Sequence, residues 1–231
     1  MYYIFGDSHA KCFLNLFPNN VYSYPASSAK GLHNTHSKSG VNNKIIDIIA
    51  SLPEESNIIM FFGKVDLDFI TNYKYNTTKI EDYKEYIIST VYSYIEFIKS
   101  NTLNKNVYIC ELPITHIDDT SMLKILCNEI HSKNINSHLS NNEQCLYSNF
   151  SKVIPYNERV NLYKIFNTEL ENQCKINNFL FIEINKYFIN NSGDFEIPRK
   201  YINKNTLDHH LLPNIVELYM DSLNKFNYTK E

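Results

Sequence analysis

Five short apolar runs most limit what this chain can fold into. They are "YYIF" (2–5), the weaker "VYSYP" (21–25), "NIIMFF" (57–62), "VYICEL" (107–112) and "FLFIEI" (179–184). Apolar runs of this length bury both faces, as the strands of a parallel sheet do when helices cover each side. Between them, apolar residues recur at three- to four-residue spacing. Tyr83, Ile87, Val91, Tyr94 and Ile98 draw one stripe over 83–98, and Ile45, Ile48, Ile49 and Leu52 draw another over 39–52. A long helix over 156–175 carries Leu162, Phe166 and Leu170, and a last one over 213–225 has Pro213 in its first turn. The β-α alternation predicts a three-layer α/β/α fold, doubly wound around a mostly parallel five-stranded sheet of flavodoxin-like type, with right-handed crossovers. With 231 residues, 43% of them apolar, no repeat and no linker, the expectation is one domain over 1–231. The region 115–155 fits this pattern least. Residues 116–134 are compatible with a helix, and 135–151 read as an irregular insertion near the site face.

Such sheets bind ligands beyond the carboxyl ends of their strands. After the first run comes Gly6-Asp7-Ser8-His9, after the second "ASSAKGLHN" with Gly31, and after the third Gly63-Lys64-Val65-Asp66. Beyond the fifth comes "LDHHLL", with Asp208, His209 and His210. The chain has only five glycines, and three of them stand just after the first three strands. Glycine lets a chain turn sharply and lets a ligand approach a backbone N–H. Two chemistries fit the first cluster: Ser8 as a nucleophile, or Asp7 and His9 as metal ligands.

The set resembles the SGNH (GDSL-type) hydrolase family. "FGDSHA" matches its nucleophile block, Gly31 lies where the second block has its glycine, "FFGKVD" falls at the third block and "DHHL" at the last, in order over residues 4 to 212. The third block reads G-K-V-D where the family usually has G-x-N-D, which is closer to the branch with GDSH and G-x-[IV]-D. The resemblance implies an SGNH hydrolase fold and a serine-dependent esterase or acyltransferase. Ser8 would attack an acyl carbonyl, His210 would move the proton and Asp208 would orient the histidine, with His209 the competing base. The backbone N–H groups of Ser8 and Gly31 would hold the oxyanion. Val65 has no side-chain donor, so a third donor would come from Lys64 or from Ser27 or Ser28, or be missing. Asp7, His9, Asn34, Gly63, Lys64 and Asp66 would support the loops or the substrate. The resemblance also implies a small acyl ester, acetyl on a carbohydrate for preference, and no cofactor or metal.

Three other readings compete. A metal-dependent phosphoesterase could draw on Asp7, His9, Asp66, Asp208 and His210, but Lys64 stands where that pattern needs an aspartate and no G-N-H follows. A dinucleotide-binding domain lacks its G-x-G-x-x-G and its P-loop counterpart. A catalytically decayed carbohydrate-binding module would keep the fold without Val65's missing donor mattering, and Tyr73 and Tyr75 could stack on sugars, although packing is the commoner fate of a tyrosine. His33, His36 and His116 could touch substrate or simply be solvated. Asn34 and Ser37 would brace their loop, and Arg159 reads as an anchor at a helix start.

Charge narrows the partners. The net charge is −3, no Lys/Arg block occurs, and Arg159 and Arg199 are the only arginines, so nucleic acid is not expected as a partner. The five cysteines are scattered without a CxxC pair, as in a reduced thiol protein. No charged n-region precedes the first strand, and no apolar stretch is long enough to span a bilayer, so a cytoplasmic protein without a membrane partner is expected.

Overall fold

The computed structural model describes residues 1–34, 39–77, 83–127, 150–190, 195–205 and 208–228. Five strands form one sheet: β1 (Tyr2–Gly6), β2 (Val21–Ser23), β3 (Asn57–Phe61), β4 (Asn106–Cys110) and β5 (Leu180–Ile182). Their order is β2-β1-β3-β4-β5, and every pairing is parallel. The "mostly parallel" expectation therefore becomes wholly parallel, and each strand lies within two residues of its apolar run.

Helices cover both faces. They are α1 (Val41–Ser51), α2 (Thr71–Thr77), α3 (Tyr83–Asn101), α4 (Asp119–Cys127), α5 (Tyr156–Asn177) and α6 (Val216–Tyr228), with a 3-10 helix at Ser8–Asn15 in the first crossover. The layering follows from side-chain alternation at the end of β3. Phe61 packs edge-on against Phe13 and Tyr219 of α6, whereas the next residue, Phe62, packs against Tyr94 of α3. The Tyr94 hydroxyl also receives the Phe62 N–H at 3.3 Å. Full burial of one such ring stabilises the fold by about 1.5–3 kcal/mol. α3 packs on α5 and α1 on one side, while the 3-10 helix packs with residues 213–215 on the other.

The region 115–155 departs from the doubly wound plan. Its α4 buries Met122, Ile125 and Leu126 with Phe69, Ile117 and Phe150 in a separate apolar cluster. Arg159 joins this cluster to the main body. Its guanidinium donates to the carbonyls of Ile154 and Ile117 at 2.9 and 2.8 Å and to Asp119 at 2.8 Å. The remainder of the expected insertion, 128–149, lies outside the described residues, as do His36 and Ser37.

The strand order reverses direction between β1 and β3. A crevice opens at such a switch point, beyond the carboxyl ends of the two strands. Ser8 follows β1 there, and Gly63 to Asp66 follow β3.

Candidate active site

The main chain of β1 carries its ladder past the strand end. Asp7 N–H donates to the Phe61 carbonyl at 3.2 Å, and Tyr24 N–H donates to the Gly6 carbonyl at 2.8 Å. Asp7 then caps the 3-10 helix by accepting the His9 N–H at 2.9 Å. Ser8 is thereby fixed at the first helical position, where an N–H has no intrahelical acceptor and points outward. Gly6 serves close packing here rather than the sharp turn expected of it. A Cβ at Gly6 would lie 2.6 Å from both Ala10 Cβ and the Phe61 carbonyl oxygen.

The last block reaches Ser8 through a short closed loop. An antiparallel bridge pairs Ile202 with Leu211, and Leu212 N–H donates to the Tyr201 carbonyl at 2.7 Å. Within the loop, Asp208 Oδ1 accepts the His210 N–H at 3.0 Å and lies 2.7 Å from His210 Nδ1. On the other edge of the ring, His210 Nε2 lies 2.8 Å from Ser8 Oγ. A carboxylate only accepts, so Nδ1 carries the proton and Nε2 presents a lone pair to the Ser8 hydroxyl. Of the two candidate bases, it is His210 that meets Ser8. His209 is buried against Phe69, with ring centroids 5.1 Å apart.

Asp7 and His9 form a second carboxylate–histidine pair, 2.8 Å apart and buried. Burial pushes the Asp7 carboxyl up to about 6, against the opposing pull of the His9 N–H and the Lys64 cation. Burial first, then the Lys64 and His210 charges, hold the His9 imidazole well below its usual range, so it stays neutral beside His210. Its ring lies 4.5 Å from that of His210, centroid to centroid. Burial chiefly brings the His116 imidazole down to about 4, with the Lys64 cation pulling the same way and Asp208 opposing.

The loop after β3 is braced rather than open. Asp66 accepts the Ala29 N–H at 2.6 Å and the Lys30 N–H at 3.4 Å, tying the second-block loop to the third. Gly63 is required, since its φ is +128° and a Cβ would lie 2.6 Å from Phe166 Cζ. Lys64, expected as a substitute oxyanion donor, points away. Its ammonium is buried 3.8 Å from Asp68, 3.4 Å from the Pro113 carbonyl and 4.9 Å from the Tyr163 ring centre. Val65 is buried as well. Gly31 N–H donates to Ser28 Oγ at 2.8 Å, so this backbone donor is spent locally. The Asn34 carbonyl accepts from the Asn42 amide at 2.9 Å, which fastens that loop to α1. Tyr73 and Tyr75 pack on Phe150 and Tyr83 respectively. His33 is exposed.

No family model and no curated protein sequence matches the chain. Solved structures do. A GDSL-like lipase from Bacteroides thetaiotaomicron superposes with a TM-score of 0.55 at 8% identity, over 100% of this chain and 88% of that one. A member of the lipolytic G-D-S-L family from Veillonella parvula gives 0.51 at 12% identity, over 97% and 96%. An extracellular lipase from Streptomyces rimosus gives 0.51 at 11% identity, over 97% and 98%. This is the SGNH hydrolase fold. Within it, Ser8 after β1 and the His210-bearing loop before the last helix meet, with His210 Nε2 2.8 Å from Ser8 Oγ.

Sequence reasoning missed Asn203. Its amide donates to Asp208 Oδ2 at 2.7 Å. The signal available was an asparagine five residues before the acid, which an Asn-rich chain conceals. The five residues that the competing phosphoesterase reading could draw on do not form one ligand set, since Asp7 and Asp208 each pair with a histidine and Asp66 holds the Ala29 N–H. Among the described residues, the group able to share an ion is His9, His209 and His210, without any carboxylate.

Proposed function

We propose that the chain is a serine-dependent acyl-ester hydrolase or O-acyltransferase working through an acyl-enzyme. The observation that carries this reading is the continuous path from Ser8 Oγ to His210 Nε2, 2.8 Å, and from His210 Nδ1 to Asp208, 2.7 Å. Ser8 Oγ attacks the ester carbonyl while His210 Nε2 takes its proton, and Asp208 stabilises the imidazolium that results. The tetrahedral oxyanion is held by Ser8 N–H at the start of its helix. For Gly31 N–H to join, Ser28 Oγ must give up the bond it now accepts. His210 then returns the proton to the leaving alcohol, and the acyl group stays on Ser8. Water, or a hydroxyl of a carbohydrate acceptor, takes the acyl group with His210 acting again as base.

The pocket beside His210 is narrow and mostly apolar, lined by Cys12, Phe61, Leu211, Ile215 and Tyr219, with free room of about 20 Å³, little more than one water needs. A large acyl chain does not fit it, which favours a small one. An acetyl-type ester is the substrate class proposed, with a sugar as the alcohol. Among the described residues no helix is long and apolar enough to cross a membrane.

The deciding experiment is incubation with 4-nitrophenyl acetate, followed by intact-mass analysis. An acetyl group on Ser8, with turnover lost in Ser8→Ala, supports the reading. Adding a sugar acceptor and scoring acetylated sugar against acetate separates transferase from hydrolase. One observation favours a second reading, a decayed carbohydrate-binding module: Lys64, Val65 and Gly31 leave Ser8 N–H without a helper donor. Neither acylation nor turnover, together with saturable sugar binding, would establish that reading instead.

A further inference from the structure

His9, His209 and His210 converge at the site, each offering one ring nitrogen, and these atoms lie within 4.8 Å of one another. The triad uses His210 alone, which leaves His9 unexplained. His9 is buried, its Nδ1 is held by Asp7, and its Nε2 meets no hydrogen-bond partner among the described residues. A buried polar atom left this way is costly unless a partner meets it.

We propose that His9, His209 and His210 form a binding site for a divalent cation of the zinc class, and that the cation competes with Ser8 for Nε2 of His210, holding the triad inactive. The inhibitory half rests on the acyl-transfer reading above; the binding half does not. Three observations carry it. The donors are all imidazoles, which suit zinc, copper and nickel and do not suit magnesium or calcium. Two of the three histidines already have the outer support that metal-binding histidines use, since Asp7 holds Nδ1 of His9 and Asp208 holds Nδ1 of His210. That support fixes the tautomer in which Nε2 bears a lone pair. In His210 this same lone pair accepts the Ser8 hydroxyl, so one atom has two exclusive uses.

The geometry needs only a small adjustment. Tetrahedral zinc with bonds of about 2.0–2.1 Å sets its nitrogens roughly 3.4 Å apart. Closing from within 4.8 Å is a shift that the partly exposed His210 ring can make. Three protein ligands leave a fourth position for water. This is not the phosphoesterase arrangement. Asp66 is committed to Ala29 and Lys30, and the Asp7 and Asp208 carboxylates sit behind their histidines rather than among the ligands.

The test treats the full-length protein with EDTA and titrates it with Co²⁺ by visible absorbance and with Zn²⁺ by calorimetry. One ion per chain, with the intense visible band of four-coordinate Co²⁺, is expected. His9→Gln and His209→Gln should each weaken binding at least roughly tenfold. Ser8→Ala, which removes the competing hydroxyl, should bind Zn²⁺ at least as tightly as the parent. Zn²⁺ should suppress 4-nitrophenyl acetate turnover at the concentration at which it binds, and EDTA should restore it. No stoichiometric binding would overturn the proposal, and so would affinity unchanged in both histidine variants. Activation by Zn²⁺ would overturn it as well. If His9→Gln fails to fold by circular dichroism, His209→Gln and the Co²⁺ spectrum of the parent still decide. If the metal-free parent never turns over ester, the acyl-transfer reading and the inhibitory half fall together, while the binding measurements judge the site separately.

Discussion

Asn203 and Asp208 are joined by a 2.7 Å hydrogen bond on the carboxylate oxygen that His210 leaves unused. Asp208 thus divides its oxygens, with Oδ1 taking both His210 donors and Oδ2 taking the amide. A carboxylate gripped on both oxygens cannot swing, and the imidazole it holds keeps its edge towards Ser8. Asn203 acts through Asp208 and is a positioning residue. Asn203→Ala should lower kcat on 4-nitrophenyl acetate roughly tenfold, in keeping with one hydrogen bond to a charged group, about 1.5–3 kcal/mol. KM should stay within about twofold, because substrate does not touch Asn203 in the proposed mechanism. A rise in KM with kcat unchanged would contradict the positioning role.

The two adjacent histidines should separate in paired kinetics and denaturation. His210→Ala removes the group 2.8 Å from Ser8 Oγ and should cut kcat at least about 10³-fold. His209→Ala should retain far more turnover. It should instead lose stability in urea, by about 1–3 kcal/mol, because His209 is buried against Phe69 and His9. The reverse pattern would move the base to His209.

Gly63 and Gly40 both have positive φ but should respond differently to alanine. At Gly63 the new methyl would sit 2.6 Å from Phe166 Cζ and 2.9 Å from Leu112 Cδ1, at φ +128°. At Gly40 it would meet nothing within 4 Å, at φ +60°. Gly40→Ala should cost about 1–2 kcal/mol, the left-handed penalty alone. Gly63→Ala should cost distinctly more, roughly 3 kcal/mol or above, through strain and overpacking together. Chemical denaturation of both variants decides.

Burial pushes the Asp66 carboxyl up to about 7, with the Ala29 and Lys30 N–H groups pulling the other way. Unfolded, the same group titrates near 3.8. Between these values the native state holds a proton that the unfolded chain has released. The contribution to stability is therefore full below about pH 4 and is lost as pH rises through 7. About three pH units correspond to about 4 kcal/mol. Asp66→Asn, which keeps an acceptor for the Ala29 N–H, should remove this slope. The difference in unfolding free energy between variant and parent, followed from pH 4 to 8, should shift steadily in favour of the variant. A flat difference would show that Asp66 is ionised throughout.

How much of this was legible in the sequence depends on how local the cause was. The apolar runs 2–5, 57–62 and 107–112 became β1, β3 and β4 because a strand buried on both faces needs a continuous run, which is visible in one dimension. The stripe from Tyr83 to Ile98 became α3 for the same kind of reason. The extra turn at 65–77 was not legible. Thr71 N–H bonds back five residues to the Asp66 carbonyl, a widened turn that no periodicity announces.

By itself, the sequence determined which residues stand at the strand ends: Ser8 one residue past Asp7 after the first run, and Asp208 two before His210. Those are covalent facts, and strand and helix periods carry them to the site face. Only the tertiary structure decided which of two neighbouring histidines meets Ser8, because that depends on the loop closed by Ile202 and Leu211. It also turned Lys64 inward to Asp68, spent Gly31 N–H on Ser28, and brought His9 beside His209 and His210. Each of these is a choice of partner in space. A buried polar group takes whichever partner the packing of distant segments supplies, and that packing is set by the whole chain at once.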